Sequence, residues 1–555
     1  MVNVARERDP DEIQTGTSLG HVRLRHVETN EIILIPTPST DPKDPLNWSK
    51  GYRIYLALLV CLAMFFCNFL AAGPSVAIVE ITIDFTGVAP PMPGFSGAIA
   101  RIAYFFTTTA LLQGMGNVIW MPFIIKYGRR PVYIVSFVGY TATAIWAGVS
   151  KSYGSELASR ILMGFFAGAG ECVAPMTISD IFFLHERGYY MSMYTVSLSA
   201  GVSGGIIIAG LVTITHSWRY IYYIAAALIG ALTLLVTFTL PETSFVRPLD
   251  VDPNSDSTDK NASLAEEEAG KPAKAKSEEV EERPTAASQP RIIVAREKQS
   301  LRQRLRLWHG TYTQESVWRI GYRPLVLLAL PPVLWATLVM SVTIGFLVAI
   351  TSNFASAFSQ YYGFTSWQSG LCFVSGLIGT FLGIFGGGML SDWVADVFTR
   401  RNRGIREPEM RLPAITVALV CAPLSLVLYG CGIEYHWHWI VPTIALGLLS
   451  FSIAQGTNVS LVYIVDAYRP VAGETVVTQL AFKSAFGFLL SFYTNPWIEL
   501  QGYAGAFGTM AGICGAVLLM WIPLFFWGRR VRNATLRWKI IRNLMKWDKD
   551  REVGE

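Results

Sequence analysis

Two ionisable side chains lie in the middle of long apolar stretches of this sequence, where a charge is least expected. Glu171 stands nine residues before Asp180, and Lys483 stands nine residues after Glu474. At a helical rise of about 1.5 Å per residue, each lies about 14 Å from the end of its stretch. An ionisable group at that depth of a bilayer costs about 2.5–3.5 kcal/mol. Both residues are therefore the first candidates for a functional site.

Three interpretations of Glu171 and Lys483 stay open at the level of the sequence. Glu171 can be a proton and cation site, with Lys483 as the partner that neutralises or gates it. Lys483 can instead be the counter-charge of an anionic substrate, or the two side chains can form a purely structural ion pair. In the first interpretation a nearby ammonium favours the charged carboxylate, so that proton binding and conformation become coupled.

Polar side chains at intermediate depth predict a central cavity with a mixed polar and apolar lining, which suits amphiphilic organic molecules of moderate size. For each amide, a hydrogen bond between neighbouring helices is the competing interpretation. The candidates for the lining are Asn68, Tyr104, Gln113, Asn117, Asn353, Asn458 and Phe486. Charged residues nearer the ends of the stretches are expected to snorkel to the membrane surface as gate, anchor or turn residues. They are Arg101, Arg160, Asp180 and Arg187.

Apolar stretches of about 20 residues, the length that spans a bilayer as a helix, recur through the chain. They lie at residues 52–74, 97–123, 131–150, 157–182, 191–215, 218–240, 324–353, 368–391, 412–432, 439–466, 474–498 and 504–528. The chain has 52% hydrophobic and 15% charged residues, against about 25% charged residues in soluble proteins. We therefore predict an all-α membrane protein with twelve transmembrane helices in two six-helix bundles, at residues 52–242 and 324–528.

Basic turns set the orientation of these helices, because positive charge between membrane spans marks the cytoplasmic face. Residues 116–133, with the sequence GNVIWMPFIIKYGRRPVY, place Lys126, Arg129 and Arg130 between the second and third stretches. Five arginines from Arg400 to Arg411 occupy the equivalent place in the second half. The tail at residues 1–51, the segment 243–323 between the halves and the basic tail at residues 529–555 are then all predicted to be cytoplasmic.

The segment 243–323 differs in composition from the two halves. Residues 250–290 are rich in Glu, Lys, Ser, Ala and Pro and cannot bury enough apolar surface to fold alone, so the segment 243–323 is expected to be a disordered linker. Leucine and tryptophan alternate with arginine at residues 301–308. This pattern indicates either a short basic helix on the anionic inner leaflet or an ordinary solvated helix.

Several kinds of function find no support in the sequence. The net charge of +5 is spread over turns and tails rather than gathered in a patch, so a nucleic acid partner is not expected. The seven cysteines have no CxxC spacing and are interpreted as small core residues, so neither a metal site nor a cofactor is predicted. The metalloprotease motif HExxH and the phosphate-binding motif GxxxxGKS or GxxxxGKT are absent, and neither an enzyme nor an ATP-driven pump is predicted.

A set of short motifs resembles one known family. Residues 386–393, GGGMLSDW, and the arginines that follow are similar to the signature after spans two and eight of the major facilitator superfamily. More narrowly, the chain resembles fungal twelve-span drug:proton antiporters. The motifs that carry this likeness are DPKDPLNWS (41–49), WMP (120–122), GRRPVY (128–133), DIFF (180–183), HERG (185–188), WR (218–219) and PET (241–243). The resemblance covers nearly all of the membrane portion, and it implies that span four lines the central cavity.

Two positions depart from the family pattern. Ile125 stands where the signature aspartate is usual in the first half, so any charge relay there must differ, whereas Asp392 keeps the aspartate in the second half. Ile206 stands where the antiporter signature of the fifth span has a proline, although the small residues that let helices approach remain. The resemblance assigns a gating or signature role to Gly116, Lys126, Gly128, Arg129, Arg130, Arg160, Asp180, Arg187, Gly201, Gly205, Gly210 and Asp392.

The resemblance implies a secondary active transporter, and we predict a proton-coupled exporter of drugs, toxins or secondary metabolites that works by alternating access. Uptake or exchange of organic cations such as polyamines is the alternative within the transport class. A membrane receptor that keeps the fold without transport is the alternative outside it. The expected partners are a small organic substrate, protons and membrane lipid, with the monomer as the functional unit. The plasma membrane is the expected location, with the vacuolar membrane as the alternative.

Overall fold

The computed structural model describes most of the two predicted halves. The described residues are 38–39, 41, 43–89, 92, 94–245, 306–307, 310–402, 407–468, 471–536 and 538, without the side chains of residues 96, 184, 185, 187, 188, 385, 386, 472 and 536. The predicted disordered segment 250–290, most of the predicted basic helix at residues 301–308 and most of both tails lie outside this description.

Six helical spans form the first half of the molecule. They are α1 (Lys50–Ala72), α2 (Phe95–Tyr127), α3 (Arg129–Val149), α4 (Tyr153–Ile181), α5 (Leu184–Val212) and α6 (Arg219–Thr239). After α1, a 3-10 turn at Gly73–Ala77 leads directly into a further helix, Ile78–Thr86. Pro74 removes one backbone donor at this turn but does not end the span. The first span is therefore 37 residues long, and the predicted range 52–74 is too short.

The second half repeats this plan. Its first four spans are α7 (Pro331–Tyr362), α8 (Val374–Arg401), α9 (Thr416–Glu434) and α10 (Ile440–Ala467). A short helix, Ser366–Leu371, precedes α8, and a 3-10 segment, Pro408–Ile415, precedes α9. The helical stretches Ala472–Leu519 and Trp521–Leu536 complete the half.

Gly502 divides the last stretch into two spans. Its backbone is not helical, with φ 73° and ψ 174°. Without this break, the 63 residues from Gly473 to Thr535 would form a helix about 95 Å long, roughly three times the apolar thickness of a bilayer. Residues 472–501 are therefore α11 and residues 503–536 are α12. The described residues contain eleven stretches long and apolar enough to span a membrane, and the break at Gly502 makes twelve spans, which confirms the predicted fold class.

A further helix, Val317–Leu327, precedes α7. The structure here corrects two predicted boundaries, since residues 310–323 were assigned to the disordered linker and the seventh span was started at residue 324. The reason is that the apolar residues of this helix and those of α7 form one run in the sequence. The side that carries this helix, residues 43–49 and the turn at Gly128 is called the inner side below.

Small residues bring the central helices of each half into close contact. A Cβ atom on Gly164 or Gly168 of α4 would collide with the backbone of α2. In the second half, a Cβ atom on Gly379 of α8 would collide with the backbone of Gly447 in α10, and one on Gly383 would lie 2.6 Å from a carbonyl oxygen of α10. Such contacts let backbones approach in a membrane, where dispersion rather than the hydrophobic effect holds helices together. They hold α4 against α2 in the first half and α10 against α8 in the second half.

Candidate functional site

Glu171 of α4 and Lys483 of α11 form an ion pair between the two halves. Lys483 Nζ donates to Glu171 Oε1 at 2.7 Å. Glu171 is 1% exposed and Lys483 is 8% exposed, so the pair is shielded from water. Glu171 Oε2 is also buried, and it has no hydrogen-bond partner within the described part of the chain. The structure thus brings together the two residues that the sequence singled out, and one acceptor oxygen stays available.

Local sequence explains why α4 presents Glu171 at this depth. Ser152 caps the helix, since its side chain accepts a hydrogen bond from the backbone amide of Ser155. The face that includes Gly164 and Gly168 then packs on α2, which turns the following helical turn with Glu171 towards the junction. The carbonyl oxygen of Glu171 accepts a hydrogen bond from the Tyr194 hydroxyl of α5 at 3.4 Å.

The ion pair lies where α2 and α11 touch. A Cβ atom on Gly114 of α2 would collide with Ser484, the residue after Lys483. One turn further along α2, Asn117 is fully buried, and neither its Nδ2 nor its Oδ1 has a hydrogen-bond partner among the described residues. Its Oδ1 would lie 3.3 Å from a Cβ atom on Gly168, one turn before Glu171. Asn117 therefore belongs to the surroundings of the ion pair.

The other predicted lining residues are distributed over several helix contacts. Gln113 donates to Asn68 at 3.4 Å, and the Tyr429 hydroxyl donates to Asn353 at 3.1 Å, each within one half. These two contacts match the competing interpretation of hydrogen bonds between neighbouring helices. Phe486 packs edge to face on Phe346 of α7.

Two of the predicted lining residues bridge the halves. Asn458 of α10 donates to Ser192 Oγ of α5 at 3.4 Å, near the inner side. The ring of Tyr104 in α2 lies 5.0 Å from the ring of Phe492 in α11, nearer the outer side. Both contacts must break when the halves separate at the corresponding end.

A cavity between the halves has a lining that the sequence analysis did not predict. It is formed by Tyr194, Thr195, Leu198 and Ser199 of α5, Met340 and Ile344 of α7, Ile453, Thr457 and Leu461 of α10, and Val476 and Leu480 of α11. None of the seven candidate residues belongs to this lining. The lining is mainly apolar with a few hydroxyl groups, and Tyr194 connects it to Glu171.

Thr457 could have been found from the sequence. It stands nine residues before Asp466, as Glu171 stands nine residues before Asp180. The two residues therefore hold equivalent places in α4 and α10 of the two repeats. Thr457 is buried, and its hydroxyl has no hydrogen-bond partner in the described ranges. The repeat thus places one polar side chain on each side of the junction, Glu171 in the first half and Thr457 in the second. Only Glu171 can carry a charge.

Signature residues of the first half form a cluster at the inner side. Arg129 Nε lies 3.0 Å from Asp180 Oδ2. The Glu242 carboxylate accepts hydrogen bonds from the backbone amides of Arg129 and Arg130 at 2.9 and 3.2 Å, which caps the start of α3. Gly128 adopts φ 97°, and a Cβ atom there would collide with Glu242. Glu242 therefore supplies a carboxylate to this cluster, whereas Ile125 cannot.

The second half has the expected carboxylate of Asp392 and a further one, Asp466. Arg411 NH1 lies 3.0 Å from Asp392 Oδ1, and Arg411 Nε lies 3.5 Å from Asp466 Oδ2. Asp466 is the penultimate residue of α10, and Asp180 is the penultimate residue of α4. One arginine thus joins the inner ends of α8 and α10. The two halves hold their inner ends by related but unequal ion pairs.

The glycines of the fifth span are packing positions. A Cβ atom on Gly201 would lie 2.5 Å from the carbonyl oxygen of Phe65, and one on Gly205 would lie 2.8 Å from that of Phe69, so both bring α5 onto α1. The spacing GxSxG occurs at residues 201–205. It lies within a continuous helix and not at the strand-to-helix turn that exposes a nucleophilic serine, so it indicates no hydrolase site.

Three further signature positions lie at close contacts. A Cβ atom on Gly116 of α2 would lie 3.2 Å from the Phe165 ring of α4. One on Gly210 of α5 would lie 3.3 Å from Trp367 Cα, in the short helix before α8. Lys126 Nζ donates to the carbonyl oxygen of Glu315 at 3.4 Å. Arg187 lies in the first turn of α5, and its side chain is outside the description.

Arg160 does not snorkel to the surface, contrary to the prediction. It is 0% exposed, and its guanidinium contacts Glu156 at 3.2 Å, the carbonyl oxygen of Leu70 at 3.1 Å and the Tyr222 hydroxyl. The neighbouring helices close around it, and Glu156 neutralises it one turn earlier. Arg101, in contrast, is exposed and stacks on the Tyr153 ring at 4.6 Å. Arg160 is thus an internal anchor of the first half.

Contacts close the junction at both ends. On the inner side, a Cβ atom on Gly473 of α11 would lie 2.7 Å from Met176 of α4. On the outer side, one on Gly376 of α8 would lie 3.1 Å from Ser203 Oγ of α5. The cavity and the ion pair lie between these two contacts. Among the described residues, no group of three or more His, Cys, Asp or Glu side chains is placed to hold a metal ion.

Two bundles of six membrane-spanning helices, with a cavity and an ion pair at their junction, have the architecture that is typical of secondary transporters. The family model of the Major Facilitator Superfamily matches residues 56–470, and the chain belongs to this family. The family assignment confirms the resemblance, and the chain is a multi-pass membrane transporter.

Fungal transporters are among the proteins that this chain resembles. The MFS-type transporter penM of Penicillium rubens is 24% identical, over 89% of this chain and 88% of that protein. The efflux pump radE of Floropilus chiversii is 24% identical, over 94% of this chain and 89% of that protein. The solved structure of the proton:xylose symporter XylE matches with a TM-score of 0.57 and 13% identity, over 86% of this chain and 96% of that one. At that identity the likeness shows the fold alone.

Proposed function

We propose that this transporter is a proton-coupled exporter of small amphiphilic organic molecules, and that Glu171 is its proton site. The observation that carries the proposal is the buried ion pair of Glu171 with Lys483, which joins the two halves at 2.7 Å. Glu171 cannot be protonated and form this ion pair at the same time, because a neutral carboxyl leaves the Lys483 ammonium buried without a counter-charge. The protonation state of Glu171 then sets how readily the two halves close.

The cavity has a volume of only about 20 Å³ in this structure, and it is the chemistry of its lining that favours an amphiphilic substrate. Its lining is largely apolar, and the hydroxyls of Thr195, Ser199 and Thr457 add a few polar positions. Apolar walls with a small number of oriented polar groups are typical of sites for organic molecules. The name of one similar protein, the efflux pump radE, supports export. We place the exporter in the plasma membrane, where export clears the cell directly.

A flux experiment tests this function. A strain that lacks the gene is screened against a panel of drugs and metabolites, and the compound most retained is followed in proteoliposomes with an imposed pH gradient. We expect the compound to accumulate in the compartment that protons leave, and not to accumulate when the pH gradient is collapsed. Accumulation of the compound in the compartment that protons enter would show uptake, as for organic cations. Binding without flux would show a receptor, and either outcome would overturn the proposed export.

A further inference from the structure

The helix Val317–Leu327, which we call the strap helix, has two contrasting faces. Ile320, Arg323 and Leu327 are 0–1% exposed and pack on the protein. On the opposite side, Trp318 is 87% exposed, Tyr322 is 49% exposed and Leu325 is 61% exposed. These three lie four and three residues apart, so they share one face of the helix. An aromatic and apolar face of this kind is unfavourable in water.

The buried face of the strap helix joins the two halves at the inner side. In the first half, a Cβ atom on Gly321 would lie 3.2 Å from Pro122 Cγ of α2. In the second half, Thr478 of α11 donates to the carbonyl oxygen of Pro324 at 2.7 Å. Arg323 NH1 lies 3.7 Å from Glu474 Oε1, at the start of α11. The helix therefore touches both α2 and α11 where they meet.

The residues before the strap helix strengthen the same contact. The amide of Tyr312 donates to the carbonyl oxygen of Lys126, the penultimate residue of α2, at 2.9 Å. Burial raises the pKa of the Tyr312 hydroxyl, so this ring docks uncharged. Glu315 Oε2 lies 2.7 Å from Arg323 NH2, which ties this segment to the helix. Segment 312–327 thus forms one connection across the inner end of the junction.

The position of the exposed face identifies its partner. The strap helix lies against the inner ends of α2 and α11, and the chain enters the membrane again at Pro331, the start of α7. It is therefore held at the depth of the membrane surface. Tryptophan and tyrosine are enriched at that depth, because their rings are apolar and their N–H and O–H groups are polar. Leu325 adds a side chain suited to the acyl region.

We propose that the face of Trp318, Tyr322 and Leu325 binds the inner leaflet of the membrane, at the boundary between headgroups and acyl chains. The lipid surface then holds the strap helix in place, and the strap helix holds the inner ends of α2 and α11 together. The inner end of the junction opens when the strap helix leaves one of the two halves. This role does not depend on proton coupling, so it can fail or hold independently of the exporter function.

Lipid contact is tested by fluorescence quenching. Trp318→Cys and Leu325→Cys are each labelled with a bimane fluorophore in the full chain, reconstituted into vesicles of phosphatidylcholine and phosphatidylserine with or without doxyl-labelled lipid. We expect strong quenching at both positions by doxyl lipid. The matched control is Gln314→Cys, an exposed residue before the helix, which stays in water and is quenched weakly. Equal quenching at all three positions overturns the lipid contact.

Gate control is tested by thiol labelling in inside-out vesicles. The change Ser192→Cys, near the inner end of α5, reports opening of the inner end by the rate at which its thiol reacts with a membrane-impermeant maleimide. Arg323→Gln removes the buried charge on the strap helix, and we expect labelling at least about tenfold faster, the factor that corresponds to about 1.4 kcal/mol. The control Arg529→Gln removes an exposed partner of Glu407, which does not touch the strap helix.

A second variant keeps the test valid if Arg323→Gln fails to fold. The double change Trp318→Ser with Tyr322→Ser alters only exposed side chains, so the packed face is preserved. If lipid holds the strap helix, this variant also labels faster at position 192 than the parent protein. An unchanged rate in it, or a rate in Arg323→Gln equal to that of Arg529→Gln, overturns the proposed strap.

Discussion

Replacing Glu171 by glutamine removes the titrating group and keeps the size of the side chain. With an effective dielectric constant of about 20, unit charges 2.7 Å apart attract by about 6 kcal/mol. Desolvation of each ion costs several kcal/mol and offsets most of this attraction. In the variant the cost of desolvating Lys483 remains and the attraction is lost. The arrangement in which residues 171 and 483 meet is therefore destabilised by about 3–5 kcal/mol.

This cost falls on one conformation, because the two residues belong to different halves. An energy of about 3–5 kcal/mol shifts the equilibrium between closed and open forms by roughly a hundredfold to several thousandfold. Glu171→Gln is therefore expected to abolish accumulation driven by a pH gradient, while exchange without a gradient persists. Lys483→Ala is expected to lower gradient-driven transport as well, because it leaves the Glu171 carboxylate buried without its counter-charge.

The assay is flux in proteoliposomes that contain equal amounts of each variant, with and without an imposed pH gradient. A purely structural ion pair predicts a different pattern. Each single change would then lower thermal stability, and the double variant Glu171→Gln with Lys483→Ala would recover both stability and gradient-driven transport. Full gradient-driven accumulation in Glu171→Gln alone would refute the proton-site reasoning.

Three further predictions concern the scaffold and the topology. Gly128→Ala is expected to destabilise the protein by about 1–3 kcal/mol, because its φ of 97° disfavours any side chain; Gly508→Ala, where a Cβ atom meets nothing within 4 Å, serves as control in thermal unfolding. Deletion of residues 255–290 is expected to leave flux intact, since this composition forms no packed core, and loss of flux in correctly localised protein would contradict this. External protease is expected to leave residues 246–305 uncut in intact cells, because the basic turns place them inside.

The composition and the spacing of the sequence were enough to predict the twelve spans and the depth of the central charges. Asp180 and Glu474 mark the inner ends of their helices, so counting residues placed Glu171 and Lys483 at one level. Their pairing stayed open at that stage, because rotation about each helix axis decides whether two side chains meet. The close packing at Gly114 settles that rotation in the structure.

Contacts between distant residues were beyond the sequence analysis. Arg160 stands near the end of an apolar run, and only the folded neighbours Leu70 and Tyr222 show that it is enclosed. The strap helix was divided at residue 324 between the predicted linker and the seventh span, because hydropathy does not separate the end of a surface helix from the span that follows it. The eleventh and twelfth spans were predicted to end at residue 498 and to begin at residue 504, whereas in the structure the single non-helical residue Gly502 separates them.

The cap that Glu242 places on α3 sets an order of events during synthesis. The amides of Arg129 and Arg130 leave the ribosome 113 and 112 residues before the carboxylate that binds them. At translation rates of about 5–20 residues per second, the start of α3 waits roughly 6–23 s for its partner. Glu242 follows directly on the sixth span, so the cap closes only when all six helices have been made. The cap is thereby in place before the second bundle, whose first span begins at Pro331, is complete.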